Sequence, residues 1–158
     1  MPEEGKSTAI NWQHVRIGVV AAKWNSFITD EMMKGAIAAL KGKGITEENI
    51  HTIRCPGSFE LPLASKYCIE HADVDAVVAI GVVIRGGTPH FDYVCDAVTR
   101  GLTDLNLESG RPVAFGVLTT DNVEQAVERA STDKGNKGAE AALSVCEMLE
   151  LRHSLRSA

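Results

Sequence analysis

Residues Arg85-Gly86-Gly87-Thr88-Pro89-His90 set paired glycines, a hydroxyl and an imidazole where a strongly apolar run gives way to helical spacing. Free backbone N–H groups at such a helix start, with the positive end of the helix dipole, favour a bound anion, so a phosphorylated substrate is the natural expectation. The same Gly-Gly-Thr sequence also forms plain turns that bind nothing. His90 falls in the first helical turn beside this anion-prone element, where an imidazole can give and take protons; a capping or surface histidine fits the position as well. Asp92 can orient that ring, or serve only as a first-turn acid.

Two cations belong to the same chemistry. Lys137 stands near the start of the final helix, where a cation opposes the dipole, which hints at an external anion. Arg129 closes a shorter helix and is electrostatically welcome there with no ligand at all. Trp24, Phe59 and Phe115 lie near strand ends and offer flat faces to an aromatic ring, although large aromatics fill cores more often than they stack on ligands. Glu60 can accept hydrogen bonds from a polyol or simply favour a helix start.

These residues need a scaffold that gathers them, and the chain supplies alternating elements. Apolar residues 15–22 read as a buried strand, followed by helical spacing from Ile28 through Met32, Ala36, Ala39 and Leu40 that ends at Gly42 and Gly44. A strand at 50–54, a helix at 59–70 with Pro62 in its first turn, and a strong strand at Ala76–Ile84 come next. Phe91, Val94, Cys95, Val98, Leu102 and Leu105 mark one face of a long helix ending before Gly110, and 113–118 is another strand. Asp121 with Glu124 makes a capping-box-like start for a helix through Arg129, and a final helix carries Ala139, Ala142, Leu143, Cys146 and Leu149. Strands alternating with helices predict a parallel sheet covered on both faces, with ligands bound beyond the carboxyl ends of the strands.

Composition narrows the partners. With 158 residues, 44% hydrophobic and 23% charged, the chain fits one ordinary globular domain. A net charge of −5 without a Lys/Arg block argues against nucleic acid and anionic membrane. The longest apolar run is far shorter than the roughly 20 residues a membrane-spanning helix needs. The start of the chain, with Glu3 and Glu4, lacks a cationic-then-apolar signal pattern, and a cytoplasmic location is expected. Cys55, Cys68, Cys95 and Cys146 contain no Cys-x-x-Cys pair, so they read as reduced small hydrophobes, with no metal site.

Taken together, Pro56-Gly57-Ser58-Phe59-Glu60-Leu61-Pro62, Gly81-Val82-Val83-Ile84-Arg85-Gly86-Gly87-Thr88-Pro89-His90-Phe91-Asp92-Tyr93, Gly116-Val117-Leu118-Thr119-Thr120, Glu128-Arg129-Ala130 and Gly135-Asn136-Lys137-Gly138-Ala139-Glu140-Ala141-Ala142 closely resemble the lumazine synthase family. The likeness covers nearly all the chain from Val15 onward, in the family's order and spacing. It implies a transferase of riboflavin biosynthesis that works without metal or organic cofactor. The amino group of 5-amino-6-(D-ribitylamino)uracil attacks the ketone of 3,4-dihydroxy-2-butanone 4-phosphate, phosphate leaves, and ring closure with loss of water gives 6,7-dimethyl-8-ribityllumazine. The implied fold is a three-layer α/β/α sandwich with a mainly parallel four-stranded sheet in flavodoxin-like order. Residues 15–158 would form the single domain, and residues 1–14 a flexible arm that adds an edge strand to a neighbouring subunit.

Carried over residue by residue, the resemblance gives Trp24 the stacking position on the pyrimidine, while Ser58, Phe59 and Glu60 line the ribityl and ring site. Val82, Val83 and Ile84 present backbone to the heterocycle, Phe115 covers it, Gly87 and Thr88 hold the phosphate, and His90 transfers protons. Arg129 and Lys137 pair with the phosphate. Family members build this site between subunits of a homopentamer, so Phe115, Arg129 and Lys137 would serve the adjacent subunit. Some close twelve pentamers into a 60-subunit icosahedral shell, and the short connection from Arg129 to Lys137 suits a shell or a free pentamer. Many members have Phe where this chain has Trp24, whose larger face predicts weak riboflavin binding; at Gly87 the family also varies. A non-catalytic flavin or lumazine carrier and a shell protein are the rival readings on this scaffold. The set His90, Arg129 and Lys137 favours the enzyme, because a carrier of unphosphorylated flavin needs neither phosphate cations nor a proton shuttle.

Overall fold

Three of the described strands are rich in Val, Ile and Ala, the fourth reads Ile-His-Thr-Ile-Arg-Cys, and each is followed by a helix, so none pairs with its predecessor through a tight hairpin. The computed structural model, which describes residues 9–157, shows the consequence. Its elements run β1 (Ile17–Ala22), α1 (Ser26–Gly42), β2 (Ile50–Cys55), α2 (Leu61–Ala72), β3 (Ala76–Ile84), α3 (His90–Ser109), β4 (Val113–Thr120), α4 (Val123–Ala130) and α5 (Lys137–Ser157). The four strands are parallel in the order β2-β1-β3-β4, a flavodoxin-like α/β arrangement.

Both faces of the sheet are covered. Ile17, Val19 and Ala21 of β1 point to one side and pack with Met32 and Leu40 of α1 and Ala142 and Val145 of α5. Val20 points to the other and packs with Leu61, Cys68, Val98 and Leu102 of α2 and α3. This period-two alternation makes the three layers. No helix among the described residues is long and apolar enough to cross a membrane.

Residues 1–8 of the expected N-terminal arm lie outside the described residues, and with them most of the segment read as an edge strand for a neighbour. Within the rest, Trp12–His14 form a 3-10 turn. Trp12 lies partly buried on the α1/α5 core, under the Lys43 ammonium at 5.5 Å from its ring centre, and Lys43 also pairs with Glu150 of α5 at 2.9 Å.

Two local expectations are corrected. A 3-10 turn, Ser58–Glu60, precedes α2, which therefore starts at Leu61 rather than at Phe59. The cap of α4 is Asn122, whose side chain accepts from the Gln125 N–H at 2.9 Å, and not Asp121. Asp121 is taken up by Arg85 at 3.0 Å, while the Gln125 carboxamide accepts from the Asp121 N–H at 2.8 Å. Asp121 is thus engaged in a long-range ion pair, and the helix starts one residue later than expected.

Helices α1 and α5 meet at near-backbone contact. A Cβ on Gly138 would overlap the Met32 carbonyl oxygen, and one on Gly35 would overlap the Asn136 carboxamide. Asn136 is buried; its Nδ2 donates to the carbonyls of Glu31 (2.8 Å) and Ala130 (2.9 Å), and its Oδ1 accepts from the Ala139 N–H (3.0 Å), capping α5.

Asn136→Ala is expected to destabilise the fold by about 2–3 kcal/mol in urea unfolding, since it removes the cap of α5 and leaves the buried Ala130 carbonyl without a donor. Gly138→Ala should reach or exceed about 3 kcal/mol, because backbone rather than a flexible side chain opposes the added methyl. Burial pushes the Cys55 and Cys146 thiols up to about 11 from an ordinary 9.0. Their neutral forms thus support the fold fully below pH 9, and that support is lost as pH rises through 11. At pH 8 both thiols should stay unmodified by a disulfide reagent in native protein and react once urea unfolds it.

Candidate active site

The loops after β1, β2 and β3 converge on a cleft of about 770 Å³. Lys23 and Trp24 donate their N–H groups to the carbonyls of Cys55 (2.8 Å) and Pro56 (3.1 Å), carrying the β1–β2 pairing beyond the strands. Asn25 then turns left-handed at φ 58°, a conformation its short amide tolerates, and its carbonyl accepts the first N–H bonds of α1 from Ile28 and Thr29. This abrupt turn leaves the Trp24 side chain on the cleft wall, 73% exposed. An indole so exposed contributes almost nothing to the core and is available to a planar ligand.

Ser58 lines the same cleft but is buried to 7% exposure, and its hydroxyl donates to the Val82 carbonyl at 3.2 Å. Gly81 makes the room, since a Cβ there would stand 2.5 Å from Ser58 Oγ. The turn that presents Phe59 and Glu60 is thereby fastened to the end of β3. Val82, Val83 and Ile84 form the floor beside it.

His90 is the first residue of α3 and lines the cleft with Thr88. No side chain caps this helix, whose N-cap is Pro89; the Asp92 N–H is taken by the Pro89 carbonyl at 3.0 Å, which leaves those of His90 and Phe91 open to an external acceptor. Gly87 lies in the same turn, with Gly86 on the cleft wall. Neither glycine would meet any atom within 4 Å if given a Cβ. Asp92 does not orient His90. It faces Arg85, whose Nη1 lies 3.6 Å from it, while Arg85 Nε donates to Asp121 at 3.0 Å and the guanidinium stacks 4.4 Å from the Phe91 ring centre. The bond to Asp121 raises the Arg85 pKa further above its ordinary value.

Phe115, Arg129 and Lys137 stand apart from this cleft. They line a second one of about 490 Å³ between β4 and α5, with Glu140 and Ser144, and no residue lines both. Phe115 is 45% exposed. Arg129 Nη1 donates to the Gln125 carbonyl at 3.1 Å, within its own helix. Lys137 pairs with both Glu140 oxygens at 3.1 and 3.2 Å, so its place against the α5 dipole is already balanced locally and is not by itself a sign of an external anion. Sequence reasoning had overlooked Glu140, three residues on and on the same helix face.

It also gave no role to Asn25, at the end of the segment after β1, or to Tyr93, both of which line the first cleft. Tyr93 is 74% exposed and follows His90 by three residues, a spacing that puts both on one face of α3 and that could have found it. Asn25 carried no such signal, because its part is played by its backbone.

The chain is similar to known proteins over almost its whole length. The family model described as 6,7-dimethyl-8-ribityllumazine synthase matches residues 14–153. A 6,7-dimethyl-8-ribityllumazine synthase of Aquifex aeolicus (strain VF5) is 50% identical over 153 residues, which are 97% of this chain and 97% of that protein. An exposed indole, an uncapped helix start with an imidazole in its first turn, and this unbroken similarity lead to one conclusion: the chain belongs to the 6,7-dimethyl-8-ribityllumazine synthase family.

Proposed function

We propose that the protein condenses 5-amino-6-(D-ribitylamino)uracil with 3,4-dihydroxy-2-butanone 4-phosphate to give 6,7-dimethyl-8-ribityllumazine, releasing phosphate and water. The observation that carries this reading is the first cleft, where a flat aromatic face, open N–H groups and an imidazole meet. Trp24 stacks on the pyrimidine, the backbone of Val82, Val83 and Ile84 meets its polar edge, and Ser58, Phe59 and Glu60 bound the ribityl chain. Gly87 and Thr88 bind the phosphate through the start of α3.

The arylamine adds to the ketone carbon, and loss of water leaves an imine. Loss of the proton from the adjoining hydroxyl-bearing carbon expels phosphate from the carbon beyond it, breaking that C–O bond, and tautomerisation of the resulting enol yields the second carbonyl. The ribityl-bearing nitrogen closes on that carbonyl, and a second water leaves. His90 moves protons to and from the reacting nitrogen and oxygen atoms in these steps. Holding the two substrates in contact supplies much of the acceleration.

The reading needs a second copy of the chain. Phe115, Arg129 and Lys137 occupy a different cleft from His90, so a site holding all of them must take them from a neighbour. A head-to-tail ring meets this requirement, and the assembly proposed is a homopentamer, alone or as one of twelve in an icosahedral shell, working in the cytoplasm. Residues 15–158 act as its single domain. The exposed Trp24 face also suits an isoalloxazine ring, giving weak riboflavin binding as a side property.

Mixing the purified protein with both substrates should raise the absorbance of the lumazine. His90→Ala should slow turnover by about 10²-fold or less, at the low end for acid–base catalysis because positioning survives. Arg129→Ala should chiefly raise KM for the ketose phosphate. Refolded together in equal amounts, the two inactive or weakened variants should regain about a quarter of wild-type activity, since random rings place an intact His90 beside an intact Arg129 in that share of sites. No recovery would refute the shared site. Riboflavin fluorescence should be quenched by the wild type and not by Trp24→Ala.

A further inference from the structure

The segment proposed to hold phosphate has little of its own to hold it in place. Gly86 and Gly87 face open space, and fixing a glycine costs more backbone entropy than fixing any other residue. Helix α3 starts with no side-chain cap. Yet a phosphate site made of backbone N–H groups works only if those groups are already aimed.

Arg85 is placed to aim them. Its N–H bonds to the Thr120 carbonyl at 2.8 Å, which anchors the start of the loop to the end of β4. Its side chain then reaches forward across the loop: the guanidinium lies on Phe91, faces Asp92 of the first α3 turn, and donates to Asp121 beyond β4. The first residue of the loop therefore grips the helix turn in which the loop ends, and ties both to the neighbouring strand. Two carboxylates face this one guanidinium, so its charge is largely balanced within the chain.

We infer that Arg85 is a positioning residue for the condensation, a clasp that presets the 86–90 loop for the phosphate group while touching neither substrate. This rests on the function proposed above. Removing the clasp should weaken phosphate binding by loosening the loop, and should leave the pyrimidine side of the cleft alone.

The test uses the full-length assembled protein as wild type, Arg85→Gln, Asp121→Asn and the double variant, with both substrates varied and inorganic phosphate as competing inhibitor. Arg85→Gln should raise the phosphate inhibition constant and KM for the ketose phosphate by about tenfold, with KM for the pyrimidine within about twofold. The decisive variant is Asp121→Asn. It deletes a negative charge and frees Arg85, so electrostatics or direct contact would tighten phosphate, whereas a loosened clasp weakens it. The double variant keeps the net charge of the cluster and should match Arg85→Gln, since both break one device. Unchanged or tighter phosphate binding in Asp121→Asn overturns the inference, as does a pyrimidine KM that rises in step with that of the ketose phosphate. A wild type that neither forms product nor responds to phosphate would instead bring down the proposed function, and the clasp with it.

Discussion

One buried carboxamide joins α1, α4 and α5. Asn136 donates to a carbonyl at the middle of α1 and another at the end of α4, and accepts from the first turn of α5, so three helices meet on one side chain. An amide is suited to this, because it offers two donors and an acceptor in one plane, and a buried carbonyl left without a donor is expensive. The glycines at 35 and 138 let α1 and α5 come close enough for the bonds to form. Arg129 and Lys137 flank this junction in sequence, so the position of both cations depends on it.

The first cleft depends on a different constraint. Parallel strands all deliver their carboxyl ends to one edge of the sheet, so loops remote in sequence converge there. Each loop is fastened to a strand end by a specific bond: Lys23 N–H to Cys55, Ser58 hydroxyl to Val82, Arg85 N–H to Thr120. The recognition groups are thereby attached to the strand ends, and the aromatic side chains of Trp24, Phe59 and Tyr93 stay exposed on the cleft.

Electrostatics in this protein is arranged in small, nearly closed groups rather than one strong field. Arg85 serves two carboxylates, Lys137 is held by Glu140, and Lys43 sits between Trp12 and Glu150. Exposed pairs of this kind add little stability and act mainly by holding side chains in one geometry. A phosphate near Lys137 has to compete with Glu140, which favours a dianionic ligand over weaker anions.

Whatever depends on neighbours in the chain could be read from the residues. Apolar spacing located the strands and helices, and Pro62, Gly110 and the Gly-Gly-Thr turn marked where they begin or end, because periodicity and backbone preference are local properties. The residues of the first cleft were also legible, since a parallel sheet sends every strand-to-helix loop to the same edge. Tertiary structure alone decided the rest. Asn122 and not Asp121 caps α4, and the Asp121 carboxylate is held instead by Arg85, 36 residues earlier. Asn136 became the junction of three helices because a carbonyl 105 residues away fell within reach. The candidate residues separated into two clefts because β4 lies at the edge of the sheet, where with α5 it lines a cleft apart from the one beyond β1, β2 and β3. These are contacts between remote segments, and the pattern of a single stretch of chain carries no record of which remote partner will arrive.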